Sequence, residues 1–528
     1  MIKIVAINSK YVHTLLSPYY LKENCDYKDK IKIVQCNINQ NLQDVYNLAV
    51  SENPKLIALP CYIFNITFAL QLINLIKKQS PQIKIILGGP EVSFEYNYLL
   101  DKVDAIITGE GEIAFNQLIC DLENNNYSTL PKKVYVGSKV DFNSLRSPYS
   151  KDYFDDVQNK IAYFESSRGC PYSCAYCMSG EDGLRCFEIN RTIAELEKFK
   201  GANIRVLKFV DRTFNAKKTY AKEILRYLIN NYKEFDFGFH FEIASDILDD
   251  EFISLVASSP KGLFQFEVGV QSFNEKTLNT VVRKTDLQKV VDNLIKLINT
   301  GKSHIHTDLI AGLPYENYDS FVTGFNRLYN LKSNMLQLGF LKVLKGSKIK
   351  GMLDSGYKYS NEPPYEIIST PYISELELKQ LKYVEEACDK YYNSGLFKHT
   401  LENFVKENPY QFYLQLGKLV YGKNLSLFDK IDILFNFLSK ENDVSIVKGI
   451  MTIDYMETNN SRILPNCLKF DYDKNFAKML KGLGIDKKKY FAVKIDIDPI
   501  SYKKSKYLLY VDYCNGYDLK FINLEKEL

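Results

Sequence analysis

Tryptophan is absent from the 528 residues, histidine occurs only 5 times, and no apolar run approaches the roughly 18 residues needed to cross a bilayer. The missing tryptophan, beside abundant Lys, Asn, Ile and Tyr, reads as a genomic bias and excludes no chemistry. The missing apolar run argues against a membrane span. An excess of either charge is also missing: 68 Lys and Arg stand against 64 Asp and Glu, so bulk charge makes no case for a nucleic-acid or membrane-surface partner. Cysteine, at 11 residues, is too sparse for a disulfide scaffold, which points to a reducing compartment. The start of the chain reads as a strand and lacks the pattern of a secretory signal, so a cytoplasmic location is expected.

What is present is alternation. Up to about residue 135, apolar runs at 2–7, 32–36, 56–59, 83–87 and 105–108 alternate with helix-like segments, the pattern of a doubly wound, Rossmann-like parallel sheet. Two of these runs end in glycine turns, Gly88-Gly89-Pro90-Glu91 and Gly109-Glu110-Gly111-Glu112, where ligands bind in such sheets. Residues 136–160 read as a linker. Strands are then expected at 163–167, 206–210, 237–243, 264–268, 306–310 and 336–341, giving a partial six-stranded α/β barrel over 161–350. The remainder, 351–528, reads as a mostly helical α+β domain, with helices at 374–393 and 425–438 and a terminal pair of strands at 490–497 and 506–513. Basic residues interleaved with tyrosines, as in Lys487-Lys488-Lys489-Tyr490 and Tyr502-Lys503-Lys504-Ser505-Lys506-Tyr507, read as a solvated sheet edge in preference to an RNA-binding surface.

The densest chemistry lies in Arg168-Gly169-Cys170-Pro171-Tyr172-Ser173-Cys174-Ala175-Tyr176-Cys177, after an expected strand. Three thiols at spacings of four and three suit three irons of a cubane with the fourth iron open, whereas structural zinc wants four ligands in paired spacing and no second pair is evident. Cys186 is a candidate fourth ligand with a spacing foreign to the common closed motifs. Tyr176 reads either as packing or as a platform for an adenine ring.

This cluster and the strand-end segments after it resemble the radical S-adenosylmethionine (SAM) superfamily. The resemblance implies a 4Fe-4S cluster on Cys170, Cys174 and Cys177, at which SAM is chelated and reductively cleaved to methionine and a 5′-deoxyadenosyl radical. It further implies SAM contacts from Tyr176, from Asp211 in Phe209-Val210-Asp211-Arg212-Thr213-Phe214, and from Glu242 at the end of the third barrel strand. Gln271, in Glu267-Val268-Gly269-Val270-Gln271-Ser272, inherits a ribose-binding role, and Arg283 a pairing with the methionine carboxylate, a task suited to a planar cation. Asp308, opening Asp308-Leu309-Ile310-Ala311-Gly312-Leu313-Pro314, is implied beside the adenosyl moiety.

The first domain resembles the cobalamin-binding domains that precede some radical barrels, which implies cobalamin contacts at Gly88, Gly89, Pro90, Gly109, Glu110 and Gly111. The loop Tyr11-Val12-His13-Thr14 keeps a histidine but lacks the neighbouring Asp and Gly of the lower-ligand motif, so His13 is read as a loop or substrate-side residue. Asn8 to Thr14, Tyr62-Ile63-Phe64-Asn65 and Phe340 to Gly346 resemble one group within the superfamily: cobalamin-binding-domain proteins with a C-terminal domain of unknown function. These resemblances imply methylation of an unactivated carbon, with the cofactors supplying the difficult chemistry. Two alternatives stay open at this point: a cobalamin-independent or non-methylating radical rearrangement or oxidation, and a non-catalytic cobalamin or redox sensor. The expected partners are a small-molecule or natural-product-like substrate and an electron donor such as flavodoxin or ferredoxin, with neither nucleic acid nor membrane. The C-terminal domain is expected to cover the open side of the barrel and help choose the substrate.

Overall fold

The computed structural model describes residues 1–180, 183–470, 472, 474–486, 488–513 and 518–527; Lys487, in the basic tract noted above, lies outside them. Two compact units form, Met1–Asn317 with Gly339–Ser374, and Tyr318–Leu338 with Glu375–Leu528.

The first unit opens with β1 (Ile2–Asn8), buried along its whole length. Such a strand needs cover on both faces, which explains a nearly continuous apolar run. β2 (Ile31–Asn37), β3 (Leu56–Pro60), β4 (Lys84–Gly88), β5 (Ala105–Thr108) and β6 (Val134–Val136) complete a parallel sheet of order β2-β1-β3-β4-β5-β6. One face packs Val5, Ile57 and Ile85 against Leu72, Ile73 and Ile76 of helix Ile66–Gln79, and the other packs Ile4, Ala58 and Ile86 with Phe115 and Leu118 of helix Gly111–Asn124. The one charge in β1 is satisfied: buried Lys3 donates through Nζ to Leu48 O at 2.9 Å and Ser51 O at 2.6 Å, at the carboxyl end of helix Leu42–Val50, where a cation is favoured. The strand order reverses between β1 and β3, so the crevice beyond their carboxyl ends is the natural ligand site. Asn65 ties that crevice together, donating to Ile7 O at 2.9 Å and Pro60 O at 3.0 Å.

The stretch read as a linker is packed. Helix Lys151–Asp156 forms within it, and Tyr149 and Tyr153 are buried. Tyr153 donates its hydroxyl to Tyr163 O and accepts from Tyr163 N, both at 2.8 Å, clasping the next strand. That strand, β7 (Ile161–Phe164), precedes a two-stranded ribbon, β8 (Ser167–Arg168) with β9 (Arg185–Cys186), and then β10 (Val206–Phe209), β11 (Gly238–Ile243), β12 (Phe264–Gln271) and β13 (His304–Ala311). β7, β10, β11, β12 and β13 pair in parallel, in that order. The last expected barrel strand is present as β14 (Met335–Phe340). Along β12, and in β13 from Ile305 onward, buried and half-buried residues alternate, the period-2 signature of a sheet with one apolar and one polar face. Phe209, Phe241 and Phe266 stack on the apolar face, where Phe266 meets Phe252 of helix Asp250–Ser258. Lys208, His240, Glu242, Glu267, His306 and Asp308 share the other.

The second unit is mostly helical, with helices Glu375–Ala387, Pro409–Val420, Leu427–Leu438 and Val444–Thr458. Helix Leu427–Leu438 starts at a capping box, in which Ser426 and Asp429 satisfy each other's backbone N–H. Buried Asp454 accepts from His399 N, Thr400 N and Thr400 Oγ1 at 2.6–2.8 Å, capping helix Lys398–Phe404. The terminal sheet has three antiparallel strands where two were expected: β17 (Phe491–Ile497), β18 (Lys504–Val511) and β19 (Lys520–Asn523), with β15 (Lys358–Tyr359) and β16 (Ile367–Ser369) preceding them in the first unit. β19 is only four residues long and gives no alternation to read. Among the described residues, no helix is long and apolar enough to cross a membrane.

Candidate functional site

The cysteine loop leaves β8 through Gly169, whose φ of 89° and 1.9 Å clearance from Gly183 O for any added Cβ admit only glycine. Cys170 and Cys174 are buried, Cys177 is half-buried, and all three thiols are free. Each faces a different neighbour: Cys170 Sγ lies 3.4 Å from Thr213 Oγ1, Cys174 Sγ 3.9 Å from Arg283 Nη1, and Cys177 Sγ accepts from Ser179 N at 3.4 Å. Among the described residues no three His, Cys, Asp or Glu side chains gather around one ion, as a mononuclear site requires. The loop is pinned from below by Ala175 N donating to Val281 O at 2.8 Å. Cys186 sits in β9 opposite Ser167, and burial pushes its thiol up.

Beside this loop lies a polar cavity of about 110 Å³, walled by Tyr172, Arg212, Thr213, Glu242, Glu267, Gln271, Arg283 and Asp308 among others. Of the expected contacts, Glu242, Gln271, Arg283 and Asp308 line it. Arg283 also reaches the cysteine loop, donating to Tyr176 OH at 3.3 Å and to Gly269 O. Three buried polar atoms on this wall have no hydrogen-bond partner, namely Gln271 Oε1, Arg283 Nε and Asp308 Oδ1. Orphans of that kind mark a ligand site or a costly defect. Gln271 is held with φ of 69°, a conformation disfavoured for a side-chain-bearing residue. Deeper on the same sheet face, Glu267 Oε2 lies 3.1 Å from His240 Nε2 and 3.3 Å from Lys208 Nζ; these contacts hold its carboxyl down at about 2.

Two expected contacts fall elsewhere. Asp211 is buried away from the cavity and accepts from Ser166 N at 3.0 Å, Ser166 Oγ at 2.6 Å and Ser167 Oγ at 2.5 Å. Its oxygens are thus engaged by the segment that enters the cysteine loop, and burial still raises its carboxyl to about 6. Tyr176 packs against Arg283 and Cys174, and the aromatic on the cavity wall is Tyr172, two residues after the first cysteine. Tyr172, Arg212, Thr213 and Glu267 were not singled out from the sequence. The strand-end position of Arg212 and Thr213 was the available signal.

Burial, reinforced by Glu267 and opposed by Arg283, raises the Asp308 carboxyl to about 7. An unfolded chain ionises this group near 3.8, so between about pH 4 and pH 7 the unfolded state loses the proton that the fold retains. Its contribution to stability is therefore present below pH 4 and lost as pH rises to 7. Asp308→Asn is expected to raise stability at pH 8 by on the order of 2 kcal/mol and to flatten the pH dependence across this window. Urea melts of both proteins at pH 5 and pH 8 check it, and an equal slope in the variant would contradict it.

A second, larger cavity of about 560 Å³ opens at the carboxyl ends of β1, β3, β4 and β5. Its wall includes Gly88, Gly89, Gly109, Glu110 and Gly111 from the two glycine turns, apolar Leu15, Leu16 and Phe64, and, from the barrel, Tyr163, Glu165, Arg168 and Arg212. Gly89 (φ 103°) and Gly109 (φ 73°) could not carry a Cβ without striking Cys61 O and Gly137 O. Pro90, expected on this wall, is exposed and outside it, because a 3-10 turn over Pro90–Val92 carries the chain away. Glu91 instead pairs with Lys345 at 2.8 Å and with the Tyr365 hydroxyl. His13 lines the cavity, its Nδ1 2.7 Å from Tyr163 OH, and burial lowers its basicity. Buried Asn8 Oδ1, Thr14 Oγ1 and Glu112 Oε2 on this wall lack partners. Arg212 lines both cavities.

Comparison with known proteins agrees with this layout. Residues 2–119 match the B12 binding domain, 164–327 the radical SAM superfamily, and 354–512 a protein of unknown function, DUF4080. The chain is similar to TokK of Streptomyces tokunonensis, a cobalamin-dependent radical SAM methyltransferase, with 26% identity over 52% of this chain and 45% of that protein. It thus spans about half the length of the curated relatives it matches. Its fold is similar to OxsB, solved with aqua-cobalamin and SAM bound (TM-score 0.58, 14% identity, 92% of this chain and 82% of that chain). TsrM from Kitasatospora setae, solved with cobalamin and a [4Fe-4S] cluster, shares the fold too (TM-score 0.55, 14% identity, 69% and 82%).

The matched domains imply a 4Fe-4S cluster, SAM and cobalamin, and the residues present fit all three. Three free thiols share one loop, with Ser179 N–H and the Arg283 guanidinium placed to stabilise thiolate charge. The orphaned Gln271, Arg283 and Asp308 atoms offer an acceptor, a cation donor and a carboxyl to a ribose and an amino acid. The orphaned Asn8 and Glu112 oxygens offer acceptors to the amide-rich edge of a corrin, beside glycines that let it approach. The chain carries a radical SAM superfamily domain, which a B12 binding domain precedes and DUF4080 follows.

Proposed function

We propose that this protein is a cobalamin-dependent radical SAM methyltransferase that methylates an unactivated carbon of a small molecule. One observation carries the proposal: within a single compact unit, two cavities lined with orphaned polar atoms share the residue Arg212, one beside three free thiols and the other beyond the β1/β3 switch of the first sheet. When bound, the cluster and cobalamin supply one-electron cleavage of SAM and methyl carriage.

The residues do the rest. Cys170, Cys174 and Cys177 hold the iron. The Arg283 guanidinium takes a carboxylate, and its contact to Cys174 sets that carboxylate beside the cysteine loop. Gln271 binds ribose hydroxyls, as does Glu242, whose carboxyl burial raises. Asp308 presents an acid across the cavity. Tyr172 supplies the aromatic face, while Tyr176 positions Arg283. Asp211 positions the segment entering the cysteine loop. Gly88, Gly89, Gly109, Glu110 and Gly111 wall the corrin cavity, with His13 turned to Tyr163 on the substrate side. A one-electron donor such as flavodoxin or ferredoxin completes the reaction.

Methylation consumes SAM in two ways, giving S-adenosylhomocysteine from the methyl lost and 5′-deoxyadenosine from the cleavage. Anaerobically reconstituted protein supplied with SAM, hydroxocobalamin and dithionite is expected to form both. Formation of 5′-deoxyadenosine alone would replace methyl transfer by a rearrangement or oxidation, and formation of neither would leave a sensor.

A further inference from the structure

The second glycine turn carries two acidic residues that do more than wall the large cavity. Glu110 and Glu112 also meet barrel cations. Arg168 Nη2 donates to Glu112 Oε1 at 2.8 Å and to Glu165 Oε2 at 3.0 Å, its Nε donates to Glu165 Oε1 at 2.9 Å, and its Nη1 lies 3.5 Å from Glu110 Oε2. Arg185 of β9 also pairs with Glu110. The guanidinium sits over the Phe142 ring at 5.1 Å, and its side chain is 21% exposed, against 5% for Glu112. Ion pairs this buried hold their geometry, because separating them strands a charge.

Two features make the cluster more than domain glue. Glu112 divides its oxygens: Oε1 holds Arg168, while Oε2 is buried, unpartnered and part of the wall of the large cavity. Arg168 in turn stands two residues before Cys170, separated from it by Gly169, whose conformation leaves no slack. The other end of the segment is fixed by Asp211 on Ser166 and Ser167. A ligand that donates to Glu112 Oε2 therefore acts on a carboxylate whose second oxygen fixes the entry to the cysteine loop.

We propose that Glu112 and Arg168 couple occupancy of the large cavity to assembly of the cysteine loop, so that corrin and cluster bind with mutual dependence. The proposal rests on the cofactor assignment above. Arg168 acts here as a positioning residue, and Glu112 is the cavity contact it is tied to: neither touches iron, and the coupling is a difference of affinities, which reciprocity makes measurable from either side. Lysine at 168 keeps the charge but has no fork to span Glu112 and Glu165 together.

The test is the dissociation constant of hydroxocobalamin, by visible titration, for protein with and without its reconstituted cluster. In the wild type the cluster is expected to tighten binding at least about fivefold, the lower range for coupled sites. In Arg168→Lys, which still takes up iron and binds hydroxocobalamin, and in Glu112→Gln, where binding is weakened alike with and without the cluster, the ratio is expected to fall within about twofold of one. Lys345→Met, which breaks the Glu91 pair at the other glycine turn, is expected to keep the wild-type ratio. If Arg168→Lys does not fold, Glu112→Gln decides alone. A wild-type ratio of one, variants that keep the wild-type ratio, or equal loss in Lys345→Met would overturn the coupling. A wild type that binds no hydroxocobalamin would instead overturn the cofactor assignment, and the coupling with it.

Discussion

Cys174→Ala is expected to lose iron and all reductive cleavage of SAM, with 5′-deoxyadenosine falling to the level of a no-enzyme control. Cys174 is the central thiol of the loop, buried, and the one that faces the Arg283 guanidinium. With only Cys170 and Cys177 left, two thiols cannot hold three irons. The fold should survive the change. The neighbouring backbone is held by Ala175 N to Val281 O and by Ile349 N to Ala175 O, both 2.8 Å, and neither bond involves the sulfur. Iron quantification and circular dichroism of the variant, read with the assay, separate loss of the cluster from loss of the fold. Wild-type iron content in Cys174→Ala would refute the ligand assignment.

Arg283→Gln should behave differently. Its guanidinium contacts Cys174 Sγ, Tyr176 OH and Gly269 O, and its Nε points unpartnered into the small cavity. Removing one member of a buried, charge-assisted pair costs about 3 kcal/mol, which is roughly a hundredfold or more. We expect kcat/KM for SAM to drop by about two orders of magnitude, with iron content unchanged. Lysine should not rescue it, because one ammonium cannot serve a carboxylate and a carbonyl at fixed angles. Full activity in Arg283→Lys would show that only charge matters at this position.

Much of this was legible in the sequence, for reasons particular to each element. β1 and β3 to β5 were read within a residue or two at each end because strands covered on both faces are written as unbroken apolar runs. The barrel strands were legible as polar and aromatic residues alternating in Phe239-His240-Phe241-Glu242. β6, at three residues, is too short for any period to register. The cysteine spacing stood out because it is local. The differences from the expected placement arise where the chain leaves a strand: Pro90, Asp211 and Tyr176 were placed by position along the sequence, but a 3-10 turn, a pair of serines and an arginine decide which way each one faces. The buried pair of Glu112 with Arg168 joins residues 56 apart, and no pattern in the sequence connects them. Exposed Lys504, in a stretch of tyrosines and lysines, pairs with Asp443 at 2.6 Å in the second unit.

The central claim is that one unit of this chain holds both an iron-sulfur cluster and a corrin. The most direct measurement is the iron, sulfide and cobalt content of wild-type protein after anaerobic reconstitution with iron, sulfide and hydroxocobalamin, followed by gel filtration. The expected result is about four irons, about four sulfides and about one cobalt per chain. Iron and sulfide retained with no cobalt would contradict the claim, since the cavity built from the two glycine turns would then serve some other ligand.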